Sequence, residues 1–267
     1  MSGLRILAFN LFFFSYTFAV AMTCYGLAKL STRDRMQRLL AQWGRTVRGA
    51  VHGLLGARIE VRGLERLPPQ GPRLIVSKHQ SELDIVMAAA LFPDASAVAM
   101  AELRRYPFFG AIMEGLGVVE VAVDQGPQGR TRQVVEGARR VLLEENRPML
   151  IYPEGELMAL GARERYRKGA GHIYAELGVE AVPVALSLGT IWPQRRWRKN
   201  VGRTGAIEFL EPIAPGLEIE EFMAEVERRI EERTMDLIRE HADGEDLEAA
   251  EARWAAGHNN HGRPVAA

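Results

Sequence analysis

Beyond Ala57 the chain alternates short runs rich in Val, Ile and Leu with segments of helical periodicity, and this alternation restricts the fold more than any other feature. Strand runs separated by amphipathic runs are the signature of an α/β domain, because each helix covers one face of the sheet it follows. Ile59–Val61, Leu74–Ser77, Ala97–Met100, Val118–Val123, Met149–Tyr152, Ala181–Leu186 and Ile207–Leu210 read as strands. Leu83–Leu91, Phe108–Leu116, Thr131–Glu144 and Ala170–Leu177 read as the helices between them. Pro68-Pro69-Gln70-Gly71-Pro72 and Asp124-Gln125-Gly126-Pro127 supply turn chemistry at the breaks. From Glu218 a closing helix is marked by Ile219, Phe222, Met223, Val226, Ile230, Leu237 and Ile238, spaced to cover one face. The α/β unit is therefore expected over residues 57–241, and the fading periodicity of 242–267 reads as a flexible tail. His258 and His261 fall in that tail without a nearby acid or thiol partner, so they are read as tail residues and not as metal ligands.

The segment from Ile6 to Ala28 carries no charge and is rich in Phe, Leu, Ile, Ala and Val. It approaches the roughly 20 residues that cross a bilayer core and reads as a membrane anchor. A signal peptide competes, since Ala19-Val20-Ala21 resembles a cleavage site, but the apolar run exceeds the usual ~7–15 residues and continues past that site. Lys29, Arg33, Arg35, Arg38, Arg45 and Arg48 follow, with Trp43 among them. The positive-inside rule then puts the rest of the chain on the cytoplasmic side, the cytoplasmic face of the inner membrane if the source is bacterial. Composition leaves open whether the run crosses or dips in and returns, and whether the basic stretch lies along headgroups or is a solvated amphipathic helix. Residues 1–56 form the expected anchor and basic helix.

Lysine plus arginine and aspartate plus glutamate balance at 34 each, so no global field draws the chain to nucleic acid. The distribution is uneven: Lys29 to Arg58 holds seven basic residues against the single acid Asp34, and Glu218 to Glu251 holds fourteen acids against four arginines. These read as a basic N-terminal surface and a solvated acidic face near the C-terminus. The single cysteine, Cys24, excludes an internal disulfide framework and a cysteine-rich zinc site.

In Leu74-Ile75-Val76-Ser77-Lys78-His79-Gln80-Ser81-Glu82-Leu83-Asp84 an apolar strand runs directly into a helix start, a place where active sites recur. A histidine beside a carboxylate holds one ring nitrogen protonated toward the acid and leaves the other to accept a proton, which makes a general base near neutral pH. On one continuous helix His79 and Asp84 would lie about 140° apart, so the pair requires His79 on the loop and Asp84 in the first turn. Ser81 and Asp84 also have capping-box spacing, which by itself explains the aspartate. A second apolar strand ends in an acid and a glycine at Met149-Leu150-Ile151-Tyr152-Pro153-Glu154-Gly155.

With His-Gln-Ser-x-x-Asp upstream of Pro-Glu-Gly, the chain resembles the lysophosphatidate acyltransferase family, the glycerolipid acyltransferases with a His-x4-Asp motif. The resemblance spans Val61 to Pro212, with agreement at Glu102-Leu103-x3-Pro107-x2-Gly110, Gly117 through Asp124, and Val182-Pro183-Val184. It implies the α/β fold of those enzymes, a mixed, mostly parallel sheet flanked by helices, here with an N-terminal membrane-anchoring helical segment. It implies that His79, oriented by Asp84, deprotonates a lysolipid hydroxyl as it attacks an acyl-CoA or acyl carrier protein thioester, with no metal and no cofactor beyond that co-substrate. Lys78, Ser81, Glu154 and Gly155 would line the acceptor site. The membrane lipids supply acceptor and surroundings.

Where such enzymes place cations for the acceptor phosphate, this chain has Met100, Gln125, and Leu157 preceded by Glu156. Arg104, Arg163, Arg165, Arg167 and Lys168 are the candidate replacements, and Arg195-Arg196-Trp197-Arg198-Lys199 is a further basic cluster that reads either as a contact for a headgroup or a CoA phosphate or as a solvated loop. The expected product is phosphatidate from 1-acylglycerol-3-phosphate. Two alternatives stand beside it: the same chemistry on another lysolipid such as a lyso-ornithine lipid, and a non-catalytic lipid-binding relative.

Overall fold

The computed structural model describes residues 2–30, 33–67, 71–106 and 108–258. The expected turn at Pro68-Pro69-Gln70, the motif residue Pro107, and His261 lie outside the described residues.

Seven strands form one sheet: β1 (Arg58–Arg62), β2 (Leu74–Ser77), β3 (Ser96–Met100), β4 (Val119–Val121), β5 (Met149–Ile151), β6 (Ala181–Leu186) and β7 (Thr204–Phe209). Their order is β1-β7-β6-β2-β5-β3-β4, every neighbouring pair parallel except β6 with β7. β2 sits centrally between β5 and β6, with Val76 opposite Ile151 on one side and Pro183 on the other, so the two motif-bearing strands end side by side.

Pleating sorts the apolar side chains to two faces. Ile75 and Leu150 point to one core, built with α1 (Ser2–Lys29), α2 (Arg33–Leu55) and α3 (Glu82–Leu91). Leu74, Val76, Met149 and Ile151 point to the other, built with α5 (Gly126–Arg139), α6 (Gly169–Leu177) and α7 (Ile219–His241). Such unbroken apolar strands are what a sheet covered on both faces requires. α4 (Phe109–Leu116) packs on α1 and α2.

Residues 1–56, expected to stand apart from the α/β unit, are part of it. Val47, Val51 and Leu55 of α2 are wholly buried in the first core. At Gly44 a Cβ would lie 2.6 Å from the carbonyl oxygen of Val86, so only glycine allows α2 to approach α3 this closely. The flexible tail is corrected likewise: residues 244–255 form α8 (Gly244–Ala255). Its apolar positions are few, but Ala250 is buried against Met235 and Ile238, and Trp254 stacks under the Arg163 guanidinium at 3.9 Å. His258, read as a tail residue, bonds Glu227 at 2.6 Å.

Candidate active site

The sequence requirement on His79 and Asp84 is met by the way α3 begins. Ser81 is the N-cap, in extended conformation, and its hydroxyl accepts the Leu83 N–H at 3.0 Å. The Asp84 carboxylate turns back over the cap, where one oxygen, Oδ2, accepts the N–H groups of Gln80 at 2.7 Å and Ser81 at 2.9 Å. The same Oδ2 lies 2.9 Å from His79 Nδ1, which leaves Nε2 as the ring's free nitrogen. Asp84 is therefore cap and partner at once, and the capping requirement fixes the carboxylate where the histidine needs it.

His79 is held from the β5 side as well. Its ring stacks on Tyr152, centroids 4.0 Å apart and planes at 17°. Its backbone N–H donates to Glu154 Oε2 at 3.1 Å, and its carbonyl accepts the Met158 N–H at 2.7 Å. A general base has to be positioned to fractions of an ångström, and four independent contacts supply that here.

Behind the histidine lies a cluster absent from the sequence reading. Lys78 is wholly buried, and its Nζ donates to Glu154 Oε1 at 2.6 Å, to Glu231 Oε1 at 2.8 Å and to the Ala162 carbonyl at 3.0 Å, which satisfies the ammonium. Tyr166 donates to the same Glu231 oxygen at 2.9 Å. Burial pushes the Glu154 carboxyl up to about 8 and the Glu231 charge adds to it, against the downward pull of Lys78 and the His79 N–H. The acid-rich C-terminal helix was expected to be a solvated face, yet Glu231 is only 4% exposed. The missed signal was its place beside Ile230 and Thr234 on the apolar face of α7, where an acid is buried only with a partner.

Three of the expected acceptor-site residues are thus corrected. Lys78, Ser81 and Glu154 are buried and turned into the structure, where a strand end and a helix cap must satisfy their own polar groups. Gly155 does line the site: it takes φ of +76°, and a Cβ there would meet the Arg167 guanidinium at 2.3 Å.

The open side of His79 faces a cleft of about 1500 Å³. Its wall carries apolar side chains, among them Ile85, Ala89, Phe92, Ile112 and Leu116, together with the cations Arg130, Arg139, Arg165, Arg167 and Lys168. Of the candidate replacement cations, Arg165, Arg167 and Lys168 are in place, Lys168 paired with Glu220 at 2.9 Å. Arg163 is not: it is taken up by Trp254, whose carbonyl also accepts its Nη2 at 3.1 Å. Arg104 is neutralised by Glu120 at 2.5 Å. Met100 and Leu157 face the cleft as apolar residues, Glu156 pairs at 3.7 Å with Arg195, and Gln125 is exposed beyond the cleft.

Fold and site together define a two-faced α/β protein with a His–Asp dyad between the end of β2 and the first turn of α3, opening on a cleft lined by both apolar and cationic side chains. Residues 58–187 match the family model described as Acyltransferase. The chain is 30% identical over 173 residues to the 1-acyl-sn-glycerol-3-phosphate acyltransferase of Pseudomonas aeruginosa, covering 65% of this chain and 66% of that one. It is 27% identical over 161 residues to the human 1-acyl-sn-glycerol-3-phosphate acyltransferase alpha, covering 60% and 56%. It thus spans about half to two thirds of the length of these and similar curated relatives. The crystal structure of the 1-acyl-sn-glycerophosphate acyltransferase PlsC from Thermotoga maritima superposes with a TM-score of 0.70 at 21% identity, over 89% of this chain and 98% of that one, and shares the fold. The chain belongs to the lysophosphatidate acyltransferase family, the His-x4-Asp glycerolipid acyltransferases.

Proposed function

We propose that this protein is an O-acyltransferase that moves a fatty acyl group from an acyl-CoA or acyl carrier protein thioester to the free hydroxyl of 1-acylglycerol-3-phosphate. The observation that carries the reading is the 2.9 Å contact between His79 Nδ1 and Asp84 Oδ2 at the mouth of the cleft. Asp84 holds the Nδ1–H tautomer, so Nε2 takes the hydroxyl proton as the oxygen attacks the thioester carbonyl. The tetrahedral adduct collapses with cleavage of the C–S bond, and the departing thiolate recovers the proton from the imidazolium. A base of this kind contributes ~10²–10⁴ in rate. The thioester is already activated, so the steps balance without an acyl-enzyme. The apolar side chains on the cleft wall suit an acyl chain, and Arg165 and Arg167 suit a phosphate.

α1 favours an interfacial site for this chemistry. The helix is long and apolar enough to cross a bilayer. It nevertheless lies along the domain from Arg5, bonded to the Leu54 carbonyl at 2.7 Å, to Tyr25, whose ring meets Phe108 at 5.1 Å. Its other side exposes Leu4, Leu7, Leu11, Phe14, Phe18 and Met22 as one row. We read this helix as immersed along its length in the cytoplasmic leaflet, with the basic residues of α2 toward the headgroups.

Met100 and Leu157 on the cleft wall favour one second reading, the same transfer to a phosphate-free lysolipid such as a lyso-ornithine lipid. Purified protein in detergent with a labelled acyl thioester and a panel of lysolipids separates the two. Labelled phosphatidate is expected; label transferred only to a phosphate-free acceptor replaces the first reading with the second.

A further inference from the structure

The connection between β6 and β7 is a built loop. Lys199, buried at its base, donates from Nζ to the carbonyls of Arg196 at 2.9 Å and Trp197 at 3.1 Å, and sits 4.0 Å from the Trp192 ring centroid. Asn200 closes it through the Thr190 carbonyl at 2.9 Å. The tip residues Arg196, Trp197 and Arg198 are left exposed, the Trp197 side chain conspicuously so at 61%. An indole held out by a fixed loop, between two guanidinium groups, has the composition of a membrane-interface element.

Two contacts join this tip to α1. The Trp197 and Phe14 rings stack with centroids 5.2 Å apart and planes at 6°. Asn10, a polar residue inside an apolar helix, is wholly buried and donates from Nδ2 to the Trp197 carbonyl at 3.1 Å. Phe14 belongs to the exposed row of α1, so Trp197 extends that row sideways. At its other end the loop reaches the cleft: the Arg195 N–H donates to Glu82 Oε1 at 3.0 Å, and the Arg195 side chain lines the cleft beside Glu156.

We propose that the Arg196-Trp197-Arg198 tip is a docking surface for an anionic bilayer, seating Trp197 with Phe14 at the interface and both guanidinium groups on headgroup anions. This rests on the interfacial reading of α1, and it sets the mouth of the cleft against the lipid surface from which the acceptor enters. Each arginine at such a surface is worth about fivefold in partitioning, hence ~30-fold for the pair, and salt screens the effect.

The test uses the full chain and its Arg196→Gln/Arg198→Gln variant, sedimented with vesicles of phosphatidylcholine alone or mixed with phosphatidylglycerol. The variant is expected to bind neutral vesicles as the wild type does and to bind phosphatidylglycerol-containing vesicles ~30-fold more weakly than the wild type, with Arg196→Lys/Arg198→Lys restoring the difference. Brominated lipid is expected to quench tryptophan emission in the wild type and much less in Trp197→Phe. An unchanged phosphatidylglycerol dependence in the glutamine variant, or equal quenching in Trp197→Phe, overturns the proposal. Acyl transfer in detergent micelles is read separately: its absence in the wild type counts against the enzymatic reading, while the vesicle measurements still decide the docking surface.

Discussion

The carboxylate oxygen of Asp84 that caps α3 is the same atom that meets His79 Nδ1 at 2.9 Å. A single oxygen takes three donors, the N–H groups of Gln80 and Ser81 and the imidazole, while Oδ1 makes no hydrogen bond among the described residues. Structure and chemistry are therefore separable by substitution. In Asp84→Asn the amide oxygen can keep the cap, so the melting temperature should stay within a few degrees, whereas turnover should fall ~10²–10⁴-fold as the imidazolium loses its counter-charge. Asp84→Ala should lose the turnover and, in addition, about 1 kcal/mol of cap stability, measured by urea unfolding.

The single Lys78 ammonium is shared by two buried acids, Glu154 and Glu231. Removing it as Lys78→Met strands Glu154 and Glu231, and a broken buried pair costs about 3–5 kcal/mol. Lys78→Met/Glu231→Gln should regain part of that loss, because only one buried acid is then left. A double-mutant cycle in urea checks this, and simple additivity of the two substitutions would contradict it.

Burial lowers the Lys199 ammonium to about 8, with Glu82 opposing the shift. The unfolded lysine titrates near 10.5, so between about 8 and 10.5 the unfolded chain binds more protons than the folded protein. The burial cost is carried in full below pH ~8 and relieved as pH rises through that window. The melting temperature of the wild type relative to Lys199→Met should therefore rise between pH 8 and 10. A constant difference across that range would show that the lysine is not desolvated as described.

Much of this was legible in the chain because both motifs sit where unbroken apolar strands stop. Leu74–Ser77 and Met149–Tyr152 placed His79 and Glu154 at strand ends, and the five-residue spacing to Asp84 forced a loop-then-helix geometry that α3 adopts. Three things were not legible. The charged pairing of Lys78 with Glu231 joins residues 153 positions apart, and no local pattern specifies a partner at that distance. α8 packs few apolar side chains of its own, so its periodicity was too faint to mark a helix. The inward turn of Glu154 depends on where Lys78 and the His79 N–H lie, which only the β2–β5 pairing determines.

The central claim is that His79 is the base for acyl transfer, and purified wild type and His79→Ala compared for labelled phosphatidate formation test it most directly. Both proteins should bind lysophosphatidate alike, since the cations on the cleft wall are untouched, and the variant should turn over ~10²–10⁴-fold more slowly at neutral pH. A His79→Ala protein that forms phosphatidate at the wild-type rate would contradict the account.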